Sequence, residues 1–253
     1  MSGSPEVSVI IPHYRDLKGL DLCLKALEAQ TFPRDRFEIV VADNNSPEGE
    51  AAVAAAIHGR ARLVVVTEKG AGPARNGAVA ASAGAILAFT DSDCVPEPQW
   101  IEAGLEGLKR FDIVGGQVTV LLADPPRMTP EEAFERVFAF DFKTYIEKKG
   151  FTGAGNMFCA RTLFDQVGGF RPAVSEDLEW SQRATGKGFS LGYAPEARVG
   201  HPARRTWAEL EGKWRRLNAE TWALWGDRRG RTLRWIVKAL ALPLSAVAHT
   251  PKV

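Results

Sequence analysis

The chain's 253 residues are 45% apolar and 25% charged, which excludes a disordered protein and allows a large core without disulfides or a structural metal. Lys and Arg number 32 against 31 Asp and Glu, a net charge of +1 that argues against bulk nucleic-acid binding. Cys23, Cys94 and Cys159 are widely spaced and odd in number, neither a disulfide framework nor a zinc ribbon, and they suit a reducing, cytoplasmic compartment.

Val7 to Pro12 reads as a buried strand, β-branched and stopped by a proline. Asp16 to Gln30 predicts a helix, with Leu17, Leu20, Leu24 and Leu27 at helical spacing and Asp16 as N-cap. Strands follow at Phe37 to Ala42, Arg62 to Val66 and Ala85 to Thr90, separated by small-residue helices at Ala51 to Ile57 and Gly72 to Ala83. Strands alternating with helices are βαβ units, so the first ~110 residues predict a mostly parallel sheet. The rhythm then changes: a longer strand at Asp112 to Leu122, a helix at Pro130 to Ile146, and a short strand at Asn156 to Ala160. A helix at Glu176 to Thr185 and a strand at Phe189 to Tyr193 follow. Trp207 to Trp225 and Leu233 to Val247, the latter interrupted by Pro243, close the chain as helices. The expected fold class is α/β, a mostly parallel, Rossmann-like sheet flanked by helices, with a basic helical appendage at the C-terminus.

Charge is unevenly spread. Residues 1–200 carry a net −6 and residues 201–253 a net +7, and five of the seven tryptophans fall in the later stretch. The first residues lack the basic flank of a secretory signal, and the apolar run after them is too short for one. The chain stops soon after its last apolar stretch, which leaves room for a membrane segment beyond Val253.

In an open parallel sheet, ligands bind at the carboxyl ends of the strands. No glycine lies between Pro12 and Lys18, so the dinucleotide fingerprint is missing, as are the P-loop and the G-x-S-x-G elbow. The sharp feature is Asp91-Ser92-Asp93 at the end of the fourth strand. Two carboxylates so spaced can grip one hard cation, Mn2+ or Mg2+, whose remaining shell is filled by phosphate oxygens and water. A plain Asp/Ser turn has the same composition.

The ordered set Val7–Asp16, Val41-Ala42-Asp43-Asn44-Asn45-Ser46, Gly72-Pro73-Ala74-Arg75-Asn76, Asp91-Ser92-Asp93 and Ser175-Glu176-Asp177-Leu178-Glu179-Trp180 resembles the family 2 glycosyltransferases. These are inverting enzymes of the GT-A fold that use nucleotide-sugar donors, and the resemblance covers residues ~7 to ~200. It implies a GT-A catalytic domain over 1–205, with a nucleotide-binding half at 1–110 and an acceptor and donor-sugar half at 111–205. Residues 206–253 would be C-terminal helices. The resemblance further implies that Pro12 and Tyr14 line the base pocket and that Asp43 accepts a hydrogen bond from the base. UDP fits through its imide N–H, although guanine or thymine would also satisfy a carboxylate. Glu68 and Arg75 would border the nucleotide, Asp91 would hold ribose or metal, and Asp93 the metal. His201 would complete the metal shell, and Arg204 or Arg205 would close over the phosphates. Of the acidic pair Glu176-Asp177, Asp177 is expected as general base, with Glu176 orienting the site. Two acids in a first helical turn would also suit the helix macrodipole alone. Gly153-Ala154-Gly155-Asn156-Met157 would floor the donor sugar, Arg161 to Phe170 resembles scaffold, and His13 reads as structural or rim.

The expected partners are a nucleotide-sugar donor and a saccharide or lipid-linked acceptor, in polysaccharide or glycolipid synthesis. The tail's Trp with Arg/Lys suits an interfacial helix on the inner membrane face, and equally packing on the core or a homo-oligomer contact. The Gln-x-x-Arg-Trp signature of processive synthases is absent, with Arg231 where Gln would stand, so a single transfer per encounter is expected. The alternative reading is a non-catalytic nucleotide-sugar binding or scaffold subunit.

Overall fold

A computed structural model describes residues 4–226, 229, 230, 232–237 and 239–241. The chain forms two compact units: one built from 1–121 and 140–202, the other from 122–139 together with residues from 203 onward.

The first unit is a mixed α/β fold whose helices flank one eight-stranded sheet. Its strands are β1 (Val7–His13), β2 (Phe37–Asp43), β3 (Arg62–Val65), β4 (Ile86–Thr90), β5 (Val95–Pro96), β6 (Ile113–Leu121), β7 (Asn156–Ala160) and β8 (Leu191–Pro202). Their order is β3-β2-β1-β4-β7-β6-β8-β5. The first four are mutually parallel, as their alternation with helices requires; β7 runs antiparallel to both β4 and β6, and β8 is parallel to β6. The order reverses at β1, which lies between β2 and β4. That switch point is where an α/β sheet opens a crevice at its carboxyl edge.

Each face of the sheet buries its own apolar layer. Val7, Val9 and Ile11 of β1 pack with Leu20, Leu24 and Leu27 of α1 (Leu17–Glu28), with Val53 and Ile57 of α2 (Glu50–Ile57), and with Trp100 and Ile101 of α4 (Trp100–Leu108). Ile10 faces the opposite layer, with Ala74 and Ala78 of α3 (Ala71–Ala80), Leu163 and Phe164 of α7 (Arg161–Val167), and Trp180 of α8 (Glu176–Gly186). The period-2 alternation along β1 therefore sends successive side chains into two cores. Asp16 caps α1 by accepting a hydrogen bond from the Gly19 amide at 2.9 Å.

Several elements differ from expectation. The helix expected over Pro130 to Ile146 is two: α5 (Pro130–Phe138) and α6 (Phe142–Lys149). Phe140 between them has φ +59, which no helix tolerates, and Asp141 starts α6 afresh by accepting from the Thr144 amide. Strand β8 extends through Pro202 because its register jumps at Gly116/Gln117, where residues 195–197 bulge out. Helix α4 escaped periodicity because two of its core positions are glycines; a Cβ at Gly104 would lie 2.4 Å from the Phe158 ring. The two-residue β5 is too short to leave a pattern.

In the second unit, α9 (Trp207–Trp225) begins in a capping box between Thr206 and Glu209. Glu135 of α5, fully buried, accepts from the Arg204 amide and guanidinium at 2.8 and 2.9 Å and from Lys213 Nζ at 2.6 Å. Burial opposes its ionisation, but these cations hold its carboxyl below the usual range. Glu132 lies 3.5 Å from Arg205. Residues 232–237 and 239–241 are helical, and the rest of the helix expected over Leu233 to Val247 lies outside the described residues.

Candidate active site

The site is assembled at the carboxyl edge of the sheet. Strand β1 ends at His13 and β2 at Asp43, opposite each other in register. Asp43 is buried and turns the chain: its Oδ2 accepts from the Ser46 amide at 3.0 Å and its Oδ1 from the Ser46 hydroxyl. The Ser46 hydroxyl in turn accepts from the Arg15 amide at 2.9 Å, holding the β1 and β2 loops together. Arg15 sits at φ +70 with its guanidinium 5.0 Å from the centre of the half-exposed Tyr14 ring. His13 is buried, and among the described residues neither ring nitrogen has a partner. Burial pushes its pKa down, against the pull of Asp43, Asp16 and Glu48.

Glu68 is exposed in the loop after β3, and that loop is not free. Asn44 donates to the carbonyls of Val66 and Glu68 at 2.9 and 2.7 Å, and its Oδ1 accepts from the Gly70 amide at 2.8 Å. Sequence reasoning gave Asn44 no task; the only signal was an amide side chain directly behind Asp43.

Arg75 joins three distant segments. Its guanidinium reaches from α3 to Asp91 Oδ1 beyond β4 and to Glu176 Oε1 at the start of α8, each at 2.6 Å, with only 5% of the side chain exposed. Burial alone would weaken its charge, but Asp91 and Glu176 raise its pKa further. The glycine at 72 permits this approach: a Cβ there would lie 3.1 Å from Phe170 and 3.4 Å from Glu176. Asn76 fixes the same junction by exchanging two hydrogen bonds with the Phe170 backbone, each at 2.8 Å.

Asp177 follows Glu176 in the first turn of α8. Its Oδ1 accepts from the Leu178 amide at 2.7 Å and the Ser175 hydroxyl at 3.2 Å, and among the described residues no hydrogen bond reaches Oδ2. Burial, then the neighbouring Glu176 charge, push its pKa up to about 6. A carboxyl so tuned can accept a proton near neutrality.

Asp91, Asp93 and Cys94 present ligand atoms all within 4.8 Å of one another. His201 lies in β8 rather than in a turn after it, with Nε2 3.4 Å from Asp93 Oδ2. Its Nδ1 is 2.8 Å from the Pro202 carbonyl, an acceptor, so Nδ1 carries a hydrogen. With Nδ1 so engaged, Nε2 is the nitrogen turned toward Asp93 and able to ligate a cation. The Phe140 ring lies against the imidazole, tilted by 40° with centroids 4.6 Å apart. The two carboxylates suit Mn2+ or Mg2+ and so fit a divalent cation, with the His201 imidazole beside Asp93 as a further nitrogen donor that favours Mn2+ over Mg2+. Cys94, buried beneath this group, was not anticipated, although it directly follows Asp93.

The glycine segment also lies at this cluster, since a Cβ at Gly155 would come 2.8 Å from Asp91 Oδ2. Arg204 and Arg205, expected over phosphates, instead pair with Glu135 and Glu132 in the second unit. The structure thus brings Arg75, Asp91 and Glu176 into one ion-paired group, with Asp93, Cys94 and His201 adjoining through Asp91 and Asp93. Pro12 and Asp43 lie at the ends of β1 and β2, Tyr14 and Glu68 in the loops after β1 and β3, and among the described residues no hydrogen bond or ion pair links these four to that group.

The profile of Glycosyl transferase family 2 matches residues 8–173, well over half of the chain. The chain belongs to glycosyl transferase family 2. Glycosyltransferase AglE of Haloferax volcanii is 34% identical to it over 208 residues, which cover 79% of this chain and 68% of AglE. Probable glycosyltransferase YdaM of Bacillus subtilis is 25% identical over 252 residues, 92% of this chain and 56% of YdaM. Among solved structures, mannosyltransferase PcManGT of Pyrobaculum calidifontis, in complex with GDP-Man and Mn2+, superposes with a TM-score of 0.57 at 23% identity. That match covers 79% of this chain and 57% of PcManGT, and it speaks to the shared fold. The family 2 chain described here therefore has the GT-A architecture and spans a half to two-thirds of the length of these relatives.

Proposed function

We propose that this family 2 chain is an inverting glycosyltransferase that moves a sugar from a nucleotide-sugar, UDP-linked by preference, to a hydroxyl of a saccharide or lipid-linked acceptor. Its place would be polysaccharide or glycolipid synthesis at the cytoplasmic face of the inner membrane. The observation that carries the reading is the Arg75 bridge, which sets the acids at the end of β4 beside those at the start of α8.

In this reading the base and ribose lie over the β1 and β2 loops, bounded by Pro12, Tyr14, Asp43 and Glu68. Asp91, Asp93 and His201 would hold Mn2+ or Mg2+, which when bound neutralises charge on the departing diphosphate. Arg75 acts as a positioning residue, since its guanidinium is already engaged by Asp91 and Glu176. Inversion requires one displacement at the anomeric carbon. The acceptor oxygen forms its bond as the sugar–diphosphate bond breaks, and the acceptor's proton passes to Asp177. Oδ2 is the oxygen suited to receive it, because Oδ1 is held by the backbone of α8 and by Ser175. The oxocarbenium character of the transition state demands little nucleophilicity, so a carboxylate with a pKa near 6 is basic enough.

The test is a thermal-shift and turnover series with UDP-, GDP- and dTDP-sugars, with and without Mn2+, on wild type and Asp177→Asn. Expected is Mn2+-dependent donor stabilisation in both proteins and sugar transfer in wild type alone. Transfer by Asp177→Asn at the wild-type rate would refute the base assignment. Metal-dependent binding without transfer to any acceptor would favour the non-catalytic subunit.

A further inference from the structure

We infer that the helical residues 232–237 and 239–241 form a docking surface for an anionic lipid bilayer. Leu233, Ile236, Val237 and Leu240 recur at the i, i+3, i+4, i+7 spacing of one helix face. All four are open to solvent, Leu240 to 72%. A stripe used for packing within the chain would be covered; this one is not. Trp235 points the other way, meeting Trp222 and Trp225 edge-on at 5.7 and 5.6 Å, so the stretch has an anchored aromatic side and an open aliphatic one.

The charge beside the stripe selects the occupant. Residues 227–238 carry Arg228, Arg229, Arg231, Arg234 and Lys238 against Asp227 alone, while residues 1–200 are net negative. Apolar side chains flanked by cations seat in the boundary between headgroups and acyl chains, and anionic headgroups supply the counter-charge. A second copy of this chain would bring the same cations together and repel. Among the described residues no helix is long and apolar enough to cross a membrane, which agrees with a stretch that lies along the surface. The surface deepens the transferase reading by naming where a lipid-linked acceptor would be met, yet its own evidence is independent of that reading.

The experiment is co-sedimentation of the full chain with vesicles of phosphatidylcholine alone or with about 30% phosphatidylglycerol. Wild type should bind the anionic vesicles and not the neutral ones, and high salt should weaken binding. Ile236→Ser/Leu240→Ser should bind about tenfold or more weakly with an unchanged melting temperature, because both side chains are already exposed. Failure to bind either vesicle, or equal binding by the variant, would overturn the proposal. So would light scattering that shows a wild-type dimer dissociated by the variant, which would make this face an interface between copies. The donor-induced thermal shift, read in the same samples without vesicles, tests the transferase reading separately.

Discussion

At the scale of single residues, Asp177 has the most distinctive physical chemistry. Its carboxyl is driven up to about 6 in the folded protein, well above the 3.8 expected of an exposed aspartate. The folded state therefore holds a proton that the unfolded chain has released between about pH 4 and 6, and stability falls as pH rises through that window. Asp177→Asn removes the cost, so its melting temperature should exceed wild type above pH 6 and match it near pH 4 while transfer is lost. Wild-type transfer should conversely rise from pH 5 to 7 as the base ionises, a profile that rate measurements at saturating donor would show. Arg75 gives a second prediction. Arg75→Gln leaves Asp91 and Glu176 facing each other without a counter-charge, and Asp91 keeps a third of its side chain in solvent. The loss should sit at the low end for a broken buried pair, about 3 kcal/mol in a denaturant melt, together with transfer.

At the scale of elements, the site depends on contacts that hold loops and helices at fixed separations. Asn44→Ala removes three hydrogen bonds between the end of β2 and the 66–70 loop, two of them solvent-exposed. That should cost about 1–2 kcal/mol and raise KM for the donor more than it lowers kcat, as steady-state kinetics would show. Gly155→Ala would press a methyl against Asp91 Oδ2, which Arg75 prevents from swinging aside. Mn2+ affinity and the melting temperature should both fall, because the pinned carboxylate cannot give way freely, as calorimetry and a thermal scan would show. The parallel half of the sheet was legible from sequence because β-branched runs alternate there with the amphipathic α1 and the small-residue helices α2 and α3. Helix α4 and the path of β8 were not, since Gly104 makes room for a ring and Pro195-Glu196 imitates a loop. The site's acids stood out by their types and order. Arg75's bridging and the task of Asn44 did not, because they are set by contacts between positions 16 to 101 residues apart.

At the scale of the whole molecule, a ligand that binds only the folded state stabilises it by mass action. With Mn2+ saturating and donor near a hundredfold above its Kd, the donor's gain would be about 2.7 kcal/mol, and chelation should erase it in a thermal scan. The path of the chain has another consequence. Strand β6 ends at Leu121, residues 122–139 join the second unit, the chain returns for 140–202, and it leaves again at 203. Within that second unit, Glu135 is fully buried and its counter-cations, Arg204 and Lys213, lie far downstream. A stop codon placed after Pro202 would therefore not trim away a dispensable tail. It would remove Arg204, Lys213 and α9, the other half of the unit to which α5 belongs, and the shortened gene product should be recovered from inclusion bodies.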